Sequence, residues 1–222
     1  MKALILAAAL AAGLPMAANA VSITANQGLN GAGGSVAADR SDLGKISDGI
    51  ATNQSIFSLG LGGFLSASVD PQALANPIMV IEITNNTPNP LFPEAVNLFL
   101  GGSVSGPGGL DGANSFDSTG AIQIGTLSND GAPTAIEMNG ALITKTQTNS
   151  STKFTIDIAN VGNGIFSRLT LVDITSGTGA SVDGFDIGEL TVNAVPLPAS
   201  ALLLLSGLAG FGFVSRRRRA AA

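Results

Sequence analysis

The sequence has 222 residues and a formal charge of −5, and charged residues make up 11% of it, against about 25% in an average soluble domain. It contains no Cys and no His, which excludes zinc fingers, thiolate metal sites, disulfide frameworks and Ser-His-Asp or Cys-His catalysis. Four of its ten Lys and Arg residues stand in one run, so nucleic-acid binding is not expected.

The first 20 residues have the pattern of a secretory signal peptide. Lys2 gives a positive start, an apolar stretch of 12 residues runs from Ala3 to Leu14, and Ala18-Asn19-Ala20 is a small-x-small cleavage site. Twelve apolar residues are too few to span a bilayer. We therefore predict export through the Sec translocon and cleavage after Ala20.

Residues 21–194 form the predicted exported body. They hold 15 acidic residues against five basic ones, a net charge of −10. An acidic surface of this kind disfavours binding to anionic lipid and to DNA.

The body alternates β-branched runs with clusters of Gly, Asn, Asp and Pro, a pattern typical of short antiparallel strands joined by turns. Within one run, Phe154, Ile156 and Ile158 alternate with polar residues, as in a half-buried strand. We predict an all-β antiparallel sandwich or jelly roll. The predicted strand runs are Ile56–Val69, Ile78–Thr84, Ala95–Leu100, Ala121–Leu127, Ala141–Thr148, Thr152–Ile158, Phe166–Ile174 and Phe185–Val192.

Three local features refine this prediction. The Gly62-Gly63 pair is expected to bend the first run into two strand pieces, because glycine permits a bulge or a close backbone approach. The Asn149-Ser150-Ser151 segment is predicted to be a hairpin turn. A weak amphipathic pattern at Asp39–Ile46 is the best helix candidate in the body.

Carboxylates are the candidate catalytic groups. Glu82 with Glu94, or Asp173, Asp183 and Asp186, could supply the acid and base of glycoside hydrolysis. We interpret them instead as solvated turn acids with low pKa values, because they lie in Gly- and Asn-rich segments without Trp or Tyr nearby. The expected protein is therefore not an enzyme, and a carboxylate-only carbohydrate-active enzyme is the alternative.

Two Asp-Gly segments have oxygens suited to calcium: one contains Asp111, Asn114 and Asp117, and the other Asp183 and Asp186. Neither has EF-hand spacing, and Asp-Gly favours turns in any case, so turn chemistry is the preferred interpretation. We expect no resident metal and no cofactor. Three segments fit the N-x-S/T glycosylation pattern, beginning at Asn53, Asn85 and Asn149.

The C-terminal segment, residues 195–222, combines three features. Val195-Pro196-Leu197-Pro198-Ala199 opens an apolar run to Val214, and the basic run Arg216-Arg217-Arg218-Arg219 follows. Residues 197–214 would form a helix of about 27 Å, close to the hydrocarbon thickness of a bilayer. The arginines would hold its end in the cytoplasm and leave the body outside. We predict one transmembrane helix here.

This order of proline motif, helix and arginine cluster resembles the PEP-CTERM class of bacterial sorting signals, in its VPLPA-CTERM form. The resemblance implies recognition and cleavage by an exosortase, a membrane cysteine protease, after the precursor is anchored in the inner membrane. Family members are typically exported to the cell surface or beyond. Many accompany exopolysaccharide and biofilm production, which makes exopolysaccharide an implied partner.

The body carries a second resemblance. In order along the chain, its motifs resemble the β-sandwich body of many PEP-CTERM proteins, which is similar to galactose-binding-like folds. The expected protein is a non-catalytic surface or extracellular-matrix protein, and a permanently anchored periplasmic protein is a further alternative. The motifs are Phe57–Phe64, Val80–Thr84, Pro93–Val96, Leu171–Ile174 and Asp183–Ile187.

Overall fold

The structure is a computed structural model that describes residues 21–52, 55–69, 73–83, 93–131, 135–148, 151–162, 165–177 and 182–195. Apart from two short 3₁₀ helices, Ala38–Arg40 and Leu43–Ser47, its regular elements are all strands. In chain order, β1 to β16 are Val21–Asn26, Phe57–Ser58, Phe64–Val69, Ala73–Leu74, Ile78–Ile83, Ala95–Leu100, Ser103–Ser105, Gly109–Leu110, Ser115–Asp117, Ile122–Ser128, Ala135–Met138, Ala141–Gln147, Ser151–Asp157, Arg168–Asp173, Asp186–Thr191 and Ala194–Val195.

The strands form two six-stranded sheets. The first sheet has the order β10-β6-β14-β3-β1-β8, and the second has the order β11-β12-β13-β5-β15-β2. All pairings in them are antiparallel except the two-residue pairing of β1 with β8. Two small pairs, β16-β4 and β7-β9, complete the described topology.

A single hydrophobic core lies between the two sheets. It contains Val96 and Leu98 from the first sheet together with Val80, Phe154 and Ile156 from the second, all at most 2% exposed. Side chains alternate between the two faces of a strand, so each sheet turns one apolar face inward. The predicted all-β antiparallel sandwich is therefore confirmed.

The predicted bend in the first strand run is also confirmed. Strand β2 belongs to the second sheet and β3 to the first, so the chain changes sheets across residues 59–63. Gly60 and Gly62 adopt φ values of 71° and 73° in this connection, a region that L residues rarely occupy. Gly60 also has no room for a side chain, since a Cβ there would lie 2.6 Å from the backbone of Gly28.

Elsewhere the structure differs from the predicted elements. The amphipathic segment at residues 39–46 forms parts of two 3₁₀ helices instead of one helix. Strand β1 lies outside the predicted runs although its apolar residues alternate with polar ones. The short strands β4, β7, β8, β9, β11 and β16, of two to four residues each, also lie outside them, because such short pairings leave little local pattern. Near residues 149–151 the predicted hairpin is consistent with the register of β12 and β13, which pair antiparallel from Gln147 opposite Thr152.

The first and last strands of the body lie at one end of the sandwich. Val21 pairs with Val69 at the end of β3, and Val195 pairs with Ala73 just beyond it. The other end of β3 begins at Phe64, which pairs with Asn26 and Val172. We call the end of the sandwich that holds Val21 and Val195 the terminal end, and the end that holds Phe64 the distal end.

No helix among the described residues is long and apolar enough to cross a membrane. The predicted signal-cleavage residues, residues 196–199 of the sorting motif, the predicted transmembrane helix and the arginine run lie outside the described residues. So do the three candidate glycosylation asparagines. Val195, the first residue of the sorting motif, is the last residue of β16.

Candidate functional site

Four carboxylates meet at the distal end of the sandwich, and we call them the acidic cluster: Glu82, Glu94, Asp183 and Asp186. Glu82 lies on β5 and Asp186 begins β15, which pairs with β5 in the second sheet. Glu94 directly precedes β6 of the first sheet. One carboxylate oxygen from each of Glu94, Asp183 and Asp186 lies within 4.8 Å of the others.

The acidic cluster is buried, which contradicts the prediction of solvated turn acids. Glu82 is 0% exposed, Asp186 6% and Asp183 7%, and the Oε2 atom of Glu94 is also buried. The reason is visible on β5, where Ile78, Val80 and Glu82 are the inward-facing residues of an alternating strand. That alternation is the sequence signal that could have placed Glu82 inside.

Arg40 supplies the ion pairs of the cluster. Its Nη1 atom donates to Asp183 Oδ2 at 2.7 Å and lies 3.5 Å from Asp186 Oδ2. Its segment is held from the other side, because Gln27 Nε2 donates to the Arg40 carbonyl at 3.0 Å. Ser58 Oγ donates to Asp186 Oδ1. Neither Arg40 nor Ser58 stands in a sequence motif that points to this site, since both come to the cluster through long-range packing.

Glu82 and Glu94 have buried oxygens without partners. Both carboxylate oxygens of Glu82 and Oε2 of Glu94 make no hydrogen bond. The two carboxyl groups lie close enough to interact, although no hydrogen bond of normal geometry joins them. An unpaired buried polar group costs about 1–3 kcal/mol, and a charged one costs more.

Burial shifts the protonation of the cluster. It raises the pKa of Glu82 to about 8 and that of Glu94 to about 11, and the negative charge of Asp186 adds to both shifts. Burial also raises the pKa of Asp186 to about 7, against the opposing effects of Ser58 and Arg40. Without an added cation, the cluster therefore binds protons near neutral pH.

Asp173, which the sequence analysis grouped with Asp183 and Asp186, has a separate structural role. Its Oδ1 atom accepts hydrogen bonds from the Phe185 N–H at 2.9 Å and the Thr175 hydroxyl at 2.7 Å. Its Oδ2 atom accepts from the Gly62 N–H at 3.1 Å. Asp173 thus joins the glycine connection to the segment that carries Asp183, and burial raises its pKa although these hydrogen bonds oppose the shift.

The other candidate calcium segment uses its oxygens in turns. Asp111 Oδ1 accepts from the Ala113 N–H at 2.7 Å, and Asp117 Oδ1 accepts from the Thr119 N–H at 2.9 Å. The buried Asn114 donates to the Ala25 carbonyl at 2.8 Å. These contacts agree with the preferred interpretation of this segment as turn chemistry.

Comparisons with known proteins do not place the chain in a family. No protein-family model and no curated protein matches it. Among solved structures, it is similar to a chain described as the X-ray structure of GH31 CBM32-2 bound to GalNAc, with 10% identity and a TM-score of 0.39. The match covers 80% of this chain and 99% of that one. At this level the similarity establishes neither a family nor a ligand.

Proposed function

We propose that the protein is an exported, non-catalytic component of the cell surface or extracellular matrix, sorted and processed by an exosortase. Its body would be a jelly-roll or galactose-binding-like sandwich, with exopolysaccharide as its expected contact. Before processing, the C-terminal transmembrane helix would anchor the precursor in the inner membrane. The support for sorting is the order of the C-terminal features: proline motif, apolar run and Arg216–Arg219.

The burial of the acidic cluster carries the non-catalytic part of this proposal. Glycoside hydrolysis requires two carboxyl groups that both reach the scissile bond. Glu82 is 0% exposed, and both its carboxylate oxygens are closed to solvent. A sugar ring cannot contact this group while the sheets keep the described packing.

Cleavage after Ala20 and at the proline motif would leave the two six-stranded sheets whole, because all of their strands lie within residues 21–191.

One observation favours the alternative of a carbohydrate-active enzyme. The pKa of Glu82 is raised to about 8, so this group stays protonated near neutral pH, as a general acid must be. The alternative requires an opening motion that exposes Glu82 to substrate. An assay of polysaccharide hydrolysis, rather than of localisation, distinguishes this enzyme from the proposed non-catalytic protein.

Mass spectrometry of both chain termini tests the sorting proposal. Protein from the culture medium and from membranes of a producing strain should begin at Val21 and lack Arg216–Arg219. Full-length chains in the extracellular fraction that retain the arginines would contradict processing. Membrane-bound chains alone, with the arginines intact, would favour the permanently anchored periplasmic protein.

A proline variant tests recognition of the motif itself. Changing Pro196 and Pro198 together to Ala restores two backbone donors and removes two fixed φ angles, so the extended segment can join the helix. The precursor should then accumulate in the inner membrane. Pro107→Ala is the control, because Pro107 lies in an exposed turn of the body. Unchanged release of the double variant would contradict recognition at these prolines.

A further inference from the structure

We propose that the acidic cluster is a binding site for one hard divalent cation, with calcium as the ion that it fits. Glu94, Asp183 and Asp186 would supply three ligands, and Glu82 would close the site from the second sheet. This inference concerns the folded body, so it does not depend on how the chain is sorted.

The spacing of the carboxylates fits a single ion. Calcium binds oxygen at 2.3–2.6 Å, so two of its ligands lie no more than about 5 Å apart. Oxygens of Glu94, Asp183 and Asp186 already lie within 4.8 Å of one another. No rearrangement of the strands is therefore needed to bring these three groups to one ion.

A second, independent observation comes from Glu82. This residue is fully buried, lies close to Glu94, and has no hydrogen-bond partner on either oxygen. Buried carboxylates are normally paired, hydrogen-bonded or bound to a metal. Among the described residues no hydrogen bond of normal geometry reaches these two oxygens, although the side chains of Glu94 and Asn129 lie near them. A cation beside Glu94 would attract this carboxylate.

The charge balance of the site also favours a cation when the four acids are ionised. Four carboxylates face two basic side chains: Arg40 on the two aspartates, and Lys145, which interacts with Asp130 as well as with Glu82. At least two negative charges therefore remain when all four acids are ionised. One divalent ion would neutralise two of them. The Arg40 contacts use Oδ2 of each aspartate, and Oδ1 of Asp186 accepts from Ser58, so an ion at Asp186 would use a remaining lone pair of these oxygens.

The chemistry of the donors selects the class of ion. All candidate ligands are carboxylate oxygens, which suit calcium, magnesium and manganese rather than zinc or copper. Magnesium releases its water shell reluctantly and is seldom held by protein groups alone. The cluster is buried and densely acidic, so calcium, which accepts six to eight oxygen ligands, fits it better.

The test uses the full chain purified in a nonionic detergent and freed of metal with EGTA. Calorimetric titration with calcium chloride should show one saturable site per chain, and calcium should raise the midpoint of thermal unfolding. EGTA should reverse the rise, and magnesium should bind at least 10-fold more weakly. Absence of any response to both ions would overturn the proposal, because the cluster would then hold protons instead. Equal binding of magnesium would overturn the choice of calcium.

Substitutions locate the site. Glu94→Gln and Asp183→Asn should each weaken calcium binding at least 10-fold, since each removes one charged ligand. The matched control is Glu137→Gln, which makes the same chemical change at an exposed position on β11. Calcium affinity that is unchanged in Glu94→Gln would overturn the assignment of the ion to this cluster.

Glu82→Gln keeps the proposal testable if the other variants fail to fold. It replaces a buried carboxyl group, protonated near neutral pH without a cation, with an uncharged amide of similar size, so the metal-free chain should be about as stable as the original. The calcium-dependent rise in the unfolding midpoint should nevertheless shrink or disappear. A full calcium-dependent rise in this variant would show that Glu82 faces no cation, and would overturn its part in the site.

Discussion

Two kinds of buried carboxylate stand side by side at the distal end. Asp173 accepts hydrogen bonds from four backbone or hydroxyl donors, whereas no hydrogen bond of normal geometry reaches the Glu82 carboxylate. Both lie inside the same sandwich, and residue type does not distinguish them. Their hydrogen-bond partners distinguish them. Asp173 completes a structural network, whereas the carboxylate of Glu82 can bind a proton or a cation.

The network around Asp173 leads to a prediction about stability. Asp173→Asn should lower the free energy of unfolding by at least about 2 kcal/mol, because an amide NH₂ group would face N–H donors that now contact a carboxylate oxygen. Urea denaturation measures the change, with Glu137→Gln as the exposed control. A loss equal to that of the control would show that the network contributes little.

The shifted pKa values of the acidic cluster predict the pH dependence of the metal-free chain. Glu82, Glu94 and Asp186 bind protons more tightly in the folded state than at their ordinary values of 4.5, 4.5 and 3.8. Their contribution to stability is therefore full below about pH 4 and is lost as the pH rises through 7 and 8. Arg40, Lys145 and Asp183 are the charged groups that face these three residues.

Urea denaturation in EGTA at pH 5, 6, 7 and 8 checks this dependence. The free energy of unfolding should fall across the series, and the fall should be smaller in Glu82→Gln. Stability that rises with pH over this range would show that the cluster is not buried as described.

At the scale of elements, the glycine connection between β2 and β3 fixes the position of the acidic cluster. The Gly60 N–H donates to the Asp183 carbonyl at 2.8 Å, and the Leu59 N–H donates to the Phe185 carbonyl at 3.0 Å. Gly184 has a φ of 84°, and a Cβ there would lie 2.6 Å from the backbone of Gly60. Three glycine backbones at residues 28, 60 and 184 thus pack where no side chain has room.

Alanine substitutions at Gly120 and Gly60 should separate the cost of backbone strain from that of a steric clash. Gly120→Ala should cost about 1–2 kcal/mol, because Gly120 has a φ of 76° and open space around it. Gly60→Ala has the same strain and a clash with Gly28 as well, so it should cost at least about 3 kcal/mol. Thermal and urea unfolding of both variants give the comparison. Equal losses would mean that the glycine stack relaxes easily.

The strand pattern and the sheet-changing bend could be predicted from local sequence, because alternation and paired glycines are local signals. The alternation of Ile78, Val80 and Glu82 also indicates that Glu82 faces inward. The prediction of a solvated acid did not take this alternation into account. The grouping of the acids could not be predicted. It depends on β5 lying next to β15 and on β6 facing them from the other sheet, which are contacts between distant parts of the chain.

At the scale of the whole molecule, the closed packing of the sandwich predicts an absence of hydrolytic activity. Incubation of the purified chain with the producing strain's own exopolysaccharide should release no new reducing ends, because Glu82 and Asp186 are shielded by both sheets. Reducing ends that disappear in Glu82→Gln, but persist in Glu137→Gln, would contradict the non-catalytic proposal. Weak binding without cleavage would agree with it.

The shared position of the first and last strands has a consequence for orientation. Val21 pairs with Val69 and Val195 pairs with Ala73, both at the terminal end, and the six-residue strands carry the chain about 20 Å from there to the distal end. In a precursor anchored by its C-terminal segment, the terminal end would therefore face the membrane, and the distal end with the acidic cluster would face the solvent. Dissolved ions would reach that outer side while the proline motif remained within reach of a protease embedded in the bilayer.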